Sequence, residues 1–273
     1  MAEIQIHYDT KKKTMAATID GKKVPDVHEV HMPNRAQRIL GQLADMTIVP
    51  LLPPKAANLL QCRQQNLWNE YFAEAEGLFE DQWKENIWPL IKDFDFGTLL
   101  ELSPGGGRNT EKLSTLTSRL IAVDYNRYAL ERTRARLGTS RDGCEISYHQ
   151  NNGRDLQMVP DASVTAIYCW DSAVHFDKNV VLAYIREFAR VLKRGGSGFF
   201  HHSDLGNRAH KNIKRNPGWR SNVSKELVAR ACQANGLTVA LQQPVPWAPD
   251  TVTDWKTRIH PFVDCATIFR KDA

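Results

Sequence analysis

The sequence predicts an α/β protein, a mostly parallel sheet covered by helices on both faces. Three observations carry that expectation. From about residue 97 onward, short apolar runs alternate with helix-periodic stretches at regular spacing, the pattern of repeated βαβ units. The first run leads into a glycine-rich turn, Ser103-Pro104-Gly105-Gly106-Gly107, which opens a helical stretch. The second run, Ile121-Ala122-Val123, ends in an acid, Asp124.

Ahead of residue 97 the pattern is less regular. Asp20-Gly21 is the pair expected at a tight hairpin turn. Residues 31–50 read as a helix, broken at Pro50, Pro53 and Pro54. Residues 63–93 carry Trp68, Tyr71, Phe72, Phe79, Trp83 and Trp88 at spacings that suit one or two amphipathic helices. Beyond them, strands are expected at Thr98–Ser103, Arg119–Asp124, Glu145–His149, Val164–Trp170, Gly198–Ser203, Leu237–Leu241 and Val263–Phe269. The intervening helices are expected over 109–116, 127–137, 178–193 and 223–234. The third has the clearest stripe, with Val181, Leu182, Ile185, Phe188, Val191 and Leu192 at helical spacing. It is expected to end at Lys193-Arg194-Gly195-Gly196, basic residues followed by a glycine C-cap.

Composition narrows the function classes. With 273 residues, 42% hydrophobic and 25% charged, the chain suits a folded domain plus an extension. No apolar run approaches the roughly 18 residues of a membrane helix, and the N-terminus lacks a signal-peptide apolar stretch. A cytoplasmic location with no membrane partner is the expectation. The five cysteines, Cys62, Cys144, Cys169, Cys232 and Cys265, form no C-x-x-C pair, so a zinc ribbon or redox motif is unsupported and reduced, buried thiols are expected. The net charge of +5 permits an anionic partner without requiring one.

The glycine turn carries the chemistry. Glycines let backbone approach a ligand closely. A P-loop would continue as Gly-Lys-Ser/Thr, but Arg108-Asn109 follows Gly107. The dinucleotide form G-x-G-x-x-G would place glycine where Thr110 stands, which also disfavours a nicotinamide enzyme. An acid at the end of the second strand, Asp124, is suited to accept hydrogen bonds from both hydroxyls of an adenosine ribose.

At these residues the chain resembles the class I S-adenosylmethionine-dependent methyltransferases, over roughly residues 75–273. The resemblance implies a Rossmann-like, doubly wound, seven-stranded sheet, mostly parallel with the last strand antiparallel, and an N-terminal helical extension. It divides the chain into an extension or cap, residues 1–75, and a cofactor-binding domain, residues 76–273. It implies S-adenosyl-L-methionine as cofactor, with Glu101 and the turn Ser103, Gly105 and Gly107 facing its methionine part. Ser103 stands where the family usually has its first glycine. By the same resemblance Asp124 binds the ribose and Tyr125 lies against the adenine. Asn152, followed by Gly153, occupies the place of the family's adenine-side acid, with Asp155 as the second candidate, and Trp170 ends the fourth strand at the cofactor.

The acceptor side is read from two further clusters. His175, in Asp171-Ser172-Ala173-Val174-His175-Phe176-Asp177, follows the fourth strand, and ligands of open α/β sheets bind at strand carboxyl ends. The fifth strand ends in His201-His202-Ser203-Asp204, where alternation puts the two histidines on opposite faces. The resemblance favours His175 and His202 as converging base candidates, with Asp204 orienting a ring. Histidine has the ordinary pKa suited to deprotonate a hydroxyl. The imidazoles with Asp171 or Asp204 could also be imagined around a metal, but no spacing requires one and none is expected. The loop over 208–220 carries Arg208, His210, Lys211, Lys214, Arg215 and Arg220, which would suit an anionic small-molecule substrate. No RNA-binding motif accompanies it, so nucleic acid is not the expected partner. The expected activity is O-methylation of a small molecule such as a sugar, glycan-related or natural-product hydroxyl. The alternatives are N-methylation of an amine or peptide and a non-catalytic cofactor-binding protein. The extension would cap the pocket or form a homodimer surface.

Overall fold

The computed structural model describes residues 4–9, 14–19, 22–23, 76, 79–206, 220–246 and 262–272. The chain divides into two compact units, Met1–Leu78 and Phe79–Ala273. In the first unit, strands β1 (Ile4–Asp9), β2 (Thr14–Ile19) and β3 (Lys22–Lys23) form an antiparallel sheet. Pairing of Ile19 with Lys22 leaves two residues between β2 and β3, where the sequence has Asp20-Gly21. The helix expected over 31–50, its proline break, and Trp68, Tyr71 and Phe72 lie outside the described residues.

The second unit starts with a helical segment in three pieces: α1 (Phe79–Gln82), a π-helical turn (Trp83–Ile87) and α2 (Trp88–Ile91). Phe79, Ile87 and Ile91 are buried, while Trp83 stacks on the more exposed Trp88 at 6.2 Å. The rest alternates: β4 (Leu99–Leu102), α3 (Arg108–Ser114), β5 (Arg119–Asp124), α4 (Arg127–Leu137), β6 (Ser140–Arg141), β7 (Cys144–Gln150), β8 (Val164–Cys169), α5 (Lys178–Val191), β9 (Leu192–Ser203), α6 (Lys225–Ala234), β10 (Leu237–Pro246) and β11 (Phe262–Lys271).

These strands make an eight-stranded sheet in the order β10-β11-β9-β8-β4-β5-β7-β6. The strand beyond the seven expected is β6, two residues paired antiparallel to β7. β9, β8, β4, β5 and β7 run parallel, and β11 is antiparallel to both its neighbours. The chain leaves β4 towards β5 and β7, then returns to β8 on the other side of β4. The order therefore reverses between β4 and β8, and the crevice beyond their carboxyl ends is where an open sheet takes its ligand.

Strand alternation feeds two cores. Leu100, Leu102, Val123, Ile167, Cys169 and Phe200 face α5 and α6. Leu99, Leu120, Ala122, Ala166, Tyr168, Trp170 and Phe199 face Phe79, Ile87, Ile91, Leu113 and Leu137. Helices start where side chains cap them: Asn126 accepts from the N–H groups of Tyr128 and Ala129, Asp177 from Asn179, and Ser224 from Leu227.

One expected boundary is corrected. α5 stops at Val191, and Leu192 already belongs to β9, so Lys193–Gly196 is not a helix C-cap. Lys271 Nζ, reaching from β11, donates to the carbonyls of Ala189 and Leu192 at 2.6 and 2.9 Å and finishes the helix instead. The glycines serve close approach. A Cβ on Gly198 would stand 2.1 Å from the Phe269 ring, and one on Gly196 would stand 2.9 Å from the Thr165 carbonyl.

Candidate functional site

The turn after β4 is held in a conformation that few residues adopt readily. Ser103, Gly105 and Gly107 have φ of +61°, +59° and +87°, all left-handed. The left-handed φ at 103 explains why glycine suits this position and why serine there is strained. The Ser103 N–H donates to the Val123 carbonyl at 2.7 Å, and the Gly107 N–H closes back on Pro104 at 3.0 Å. From behind, the Thr133 hydroxyl on α4 donates to the Gly105 carbonyl at 3.0 Å. A Cβ on Gly107 would lie 3.1 Å from the Thr133 methyl, so the turn packs where only glycine fits without adjustment.

Two acids flank this turn on the same sheet face, since Glu101 pairs in register with Ala122, two residues before Asp124. Both are buried, at 1% and 4% exposure. Asp124 Oδ1 accepts the Asn126 N–H at 2.8 Å, and the N–H groups of Gly105 and Tyr125 also favour its charge. Burial outweighs these donors and pushes the Asp124 carboxyl up to about 7. Glu101 is less well provided for. Its Oε2 is buried without a hydrogen-bond partner, and so is the Thr110 hydroxyl that faces it. Burial raises Glu101 to about 8; the Thr110 hydroxyl opposes the shift, and the charge of Asp124 adds to it.

Beyond β7, Asn152 is exposed and its side chain is committed locally. Its Oδ1 accepts from the N–H groups of Arg154 and Asp155, and its Nδ2 donates to the Asp155 carboxylate. The two adenine-side candidates therefore form one polar turn. Gly153, at φ +79°, lies against Tyr125, since a Cβ there would meet the tyrosine Cβ at 3.6 Å. The Gln150 amide donates to the Tyr125 carbonyl at 3.0 Å.

The β8 and β9 ends differ from the expectation in several places. His202 is fully buried on the face opposite Glu101 and Asp124, beside Phe200. Its Nδ1 contacts the Ser203 carbonyl at 2.8 Å and its Nε2 the Thr267 hydroxyl at 2.7 Å, and burial holds its pKa down at about 4. Asp204 accepts the Lys225 N–H at 2.8 Å and so holds the start of α6. Trp170 is 4% exposed and packs its indole on Phe199 and, at 4.1 Å, on His201.

His201, not His202, lies on the face of the two acids. Its Nδ1 accepts the Asp171 N–H at 3.1 Å, which leaves the proton of the neutral ring on Nε2. Asp171 is left-handed, at φ +57°, and its carboxylate meets Arg108 of α3 at 2.9 Å. On the other side, His201 Nε2 lies 3.7 Å from Asp264, without a hydrogen bond. Asp264 is clamped by Arg220, Nε at 2.9 and 3.0 Å and Nη2 at 2.7 Å. Burial, then the charges of Arg220, His202 and His175, hold the His201 imidazole well below its ordinary pKa. Arg220 is thus a buried partner of Asp264 and not a free member of a basic clamp. Arg208, His210, Lys211, Lys214 and Arg215 lie outside the described residues.

His175 is exposed in a short helical turn, Ala173–His175, directly beyond β8, and is close enough for its charge to act on His201. The four described cysteines, Cys144, Cys169, Cys232 and Cys265, are buried and unpaired. Among the described residues, no group of three or more His, Cys, Asp or Glu could hold a metal. None of the described helices is long and apolar enough to cross a membrane.

Residues 99–196 match the family model described as a methyltransferase domain. No curated protein matches the chain. Solved structures share its fold at low identity. A chain of the Haloferax volcanii complex between the Trm112 methyltransferase activator and a methyltransferase is 16% identical, with a TM-score of 0.55 over 74% of this chain and 95% of its own. The geranyl diphosphate C-methyltransferase of Streptomyces coelicolor A3(2), solved with Mg2+, geranyl diphosphate and S-adenosyl-L-homocysteine, is 17% identical, with a TM-score of 0.57 over 73% of this chain and 82% of its own. A methyltransferase structure from Bacillus halodurans is 15% identical, with a TM-score of 0.51 over 69% of this chain and 99% of its own. The likeness to these structures is one of fold.

Proposed function

We propose that the chain, whose residues 99–196 match a methyltransferase domain, is a class I S-adenosylmethionine-dependent methyltransferase that methylates a hydroxyl oxygen of a small molecule, with His175 as the base. The observation that carries the cofactor half is the pair of buried acids around a left-handed turn, one of them with an unpartnered oxygen. A buried carboxyl without a donor is costly unless a ligand completes it. Glu101 with Ser103, Gly105 and Gly107 suits the methionine part, Asp124 the ribose hydroxyls, and Tyr125, Asn152 and Gly153 the adenine. Bound there, the cofactor supplies an activated sulfonium methyl.

The chain's own task is then to orient the acceptor and remove its proton. His175 suits it by position, exposed at the carboxyl end of β8 beside the switch point. His201 and Asp171 serve as support for that segment, because the ring accepts the backbone N–H four residues before His175. A sugar, glycan-related or natural-product hydroxyl is the acceptor class, in a cytoplasmic protein whose residues 1–75 act as an extension of the 76–273 domain.

Methyl-labelled cofactor, incubated with a panel of sugars, nucleotide sugars, phenols and amines, tests the reading. Transfer to a hydroxyl is expected. His175→Ala should lower turnover by about 10²–10⁴-fold, the usual worth of a general base, with cofactor affinity unchanged. Full turnover of that variant would sink the histidine base, and transfer only to amines would favour the N-methyl reading.

A further inference from the structure

We propose that Glu101 rests as a neutral carboxylic acid and ionises only when a ligand ammonium enters beside it, so that capture of the cofactor releases a proton. The inference rests on the cofactor site described above. Among the described residues, Glu101 Oε2 has no hydrogen-bond partner. From α3, the Thr110 hydroxyl faces it and favours its charge, but less than burial opposes it. From β5 comes Asp124, a second buried acid whose charge would oppose ionisation. From β8 come Tyr168 and Cys169, and from β7 Tyr148, all groups that interact with the Glu101 charge. The two phenols are committed elsewhere: Tyr168 donates to Asn109 at 2.7 Å and Tyr148 to the Gly138 carbonyl at 2.7 Å. Arg108, the basic residue of the adjoining helix start, reaches Asp171.

A carboxylate in such surroundings has lost its solvent and keeps an oxygen without a partner, so the acid form prevails. The elevation of Glu101 to about 8 agrees with that geometry. An α-ammonium placed beside Glu101 supplies both the missing charge and the missing donors. The Glu101 O–H bond then breaks and its proton passes to the buffer. A ligand offering only the adenosine part leaves Glu101 protonated, so the residue acts as a selector for the amino-acid end of the cofactor.

Calorimetric titration in two buffers of different ionisation enthalpy counts the protons. S-adenosyl-L-homocysteine carries the ammonium; 5′-methylthioadenosine lacks it and reads any contribution of Asp124 alone. At pH 7 the first ligand should release roughly 0.9 proton more than the second, the protonated fraction of a group at about 8. Glu101→Gln, which copies the neutral acid in shape, should abolish that excess. Homocysteine-ligand affinity of the wild type should also tighten roughly tenfold from pH 6 to pH 7. Binding with equal proton release by both ligands, or an affinity flat over that range, overturns the inference while leaving the cofactor site standing. If S-adenosyl-L-homocysteine does not bind at all, the cofactor reading itself falls.

Discussion

The two halves of the crevice are built by different means. Around β4 and β5, the proposed cofactor residues Glu101, Ser103, Gly105, Gly107 and Asp124 come from one stretch of 24 positions, and the turn is fixed by nearby backbone and by Thr133. Around β8 and β9, the corresponding frame is assembled from distant residues: Arg108, Asp171, His201, Arg220 and Asp264. In the first half Glu101 keeps one carboxylate oxygen without a partner, while the second half clamps its acid with a buried arginine. His201 Nε2 of the second half is also buried without a partner, so the contrast lies in the acids alone. Removing a charge should consequently harm ligand affinity in one half and folding in the other.

The largest effect is expected in the clamped half. Arg220→Ala leaves Asp264, 1% exposed, without its partner. Stranding a buried charge in this way should lower unfolding free energy by about 3–5 kcal/mol, measured by denaturant titration at pH 7. Arg220→Met combined with Asp264→Leu should cost less than Arg220→Ala alone, because no charge is left behind. A loss below about 1 kcal/mol for Arg220→Ala would put the pair in the class of surface ion pairs and remove the contrast between the halves.

That contrast also governs what could be read from the sequence. The glycine turn, Glu101 and Asp124 were legible because strand end, turn and helix start follow one another in the chain, and the left-handed positions call for glycine. The β8–β9 side was only partly legible. Alternation separates His201 from His202, but which face holds the acids depends on the register of β9 against β8, and that register shifts between Val164 and Ala166. His202 was accordingly the expected partner of His175, whereas the structure turns it to Thr267. Asp204 as a helix-start acceptor and Arg220 as a buried partner depend on residues 21 and 44 positions away, respectively. Lys193–Gly196 was read as a helix end because its composition suits one, and the pairing of β9 with β8 and β11 overrode that local preference.

In the half built around β4 and β5 the expected effect is on affinity. Asp124→Asn should weaken S-adenosyl-L-homocysteine binding by about 1.5–3 kcal/mol, the range for hydrogen bonds to a charged group, read by calorimetry. Its effect on folding should have the opposite sign above neutral pH. Asp124 is raised from 3.8 to about 7 in the folded chain, so its contribution to stability is fully present below 3.8 and lost as pH rises through about 7. The ligand-free Asp124→Asn chain should therefore fall less in melting temperature between pH 6 and pH 8 than the wild type. A variant that lost both affinity and stability at pH 8 would show that Asp124 is scaffold, like Asp264.

The smallest effect separates strain from function within the turn. Ser103 sits at φ +61° on a backbone that glycine adopts without penalty, and its N–H still closes on Val123. Ser103→Gly removes the Cβ clash of the left-handed conformation, worth about 1–2 kcal/mol, but gives glycine's extra freedom to the unfolded chain, about 0.4–1 kcal/mol. The difference should leave the variant more stable by up to about 1.6 kcal/mol. If the serine is present only as strain, cofactor affinity should stay level while the melting temperature rises. If its side chain touches the ligand, affinity should fall as stability rises, and the turn would join Asp124 as a place where this half gives up stability for binding. A drop in stability would mean that the Ser103 side chain holds the turn together, and the division between a locally built half and a long-range half would no longer hold at its first residue.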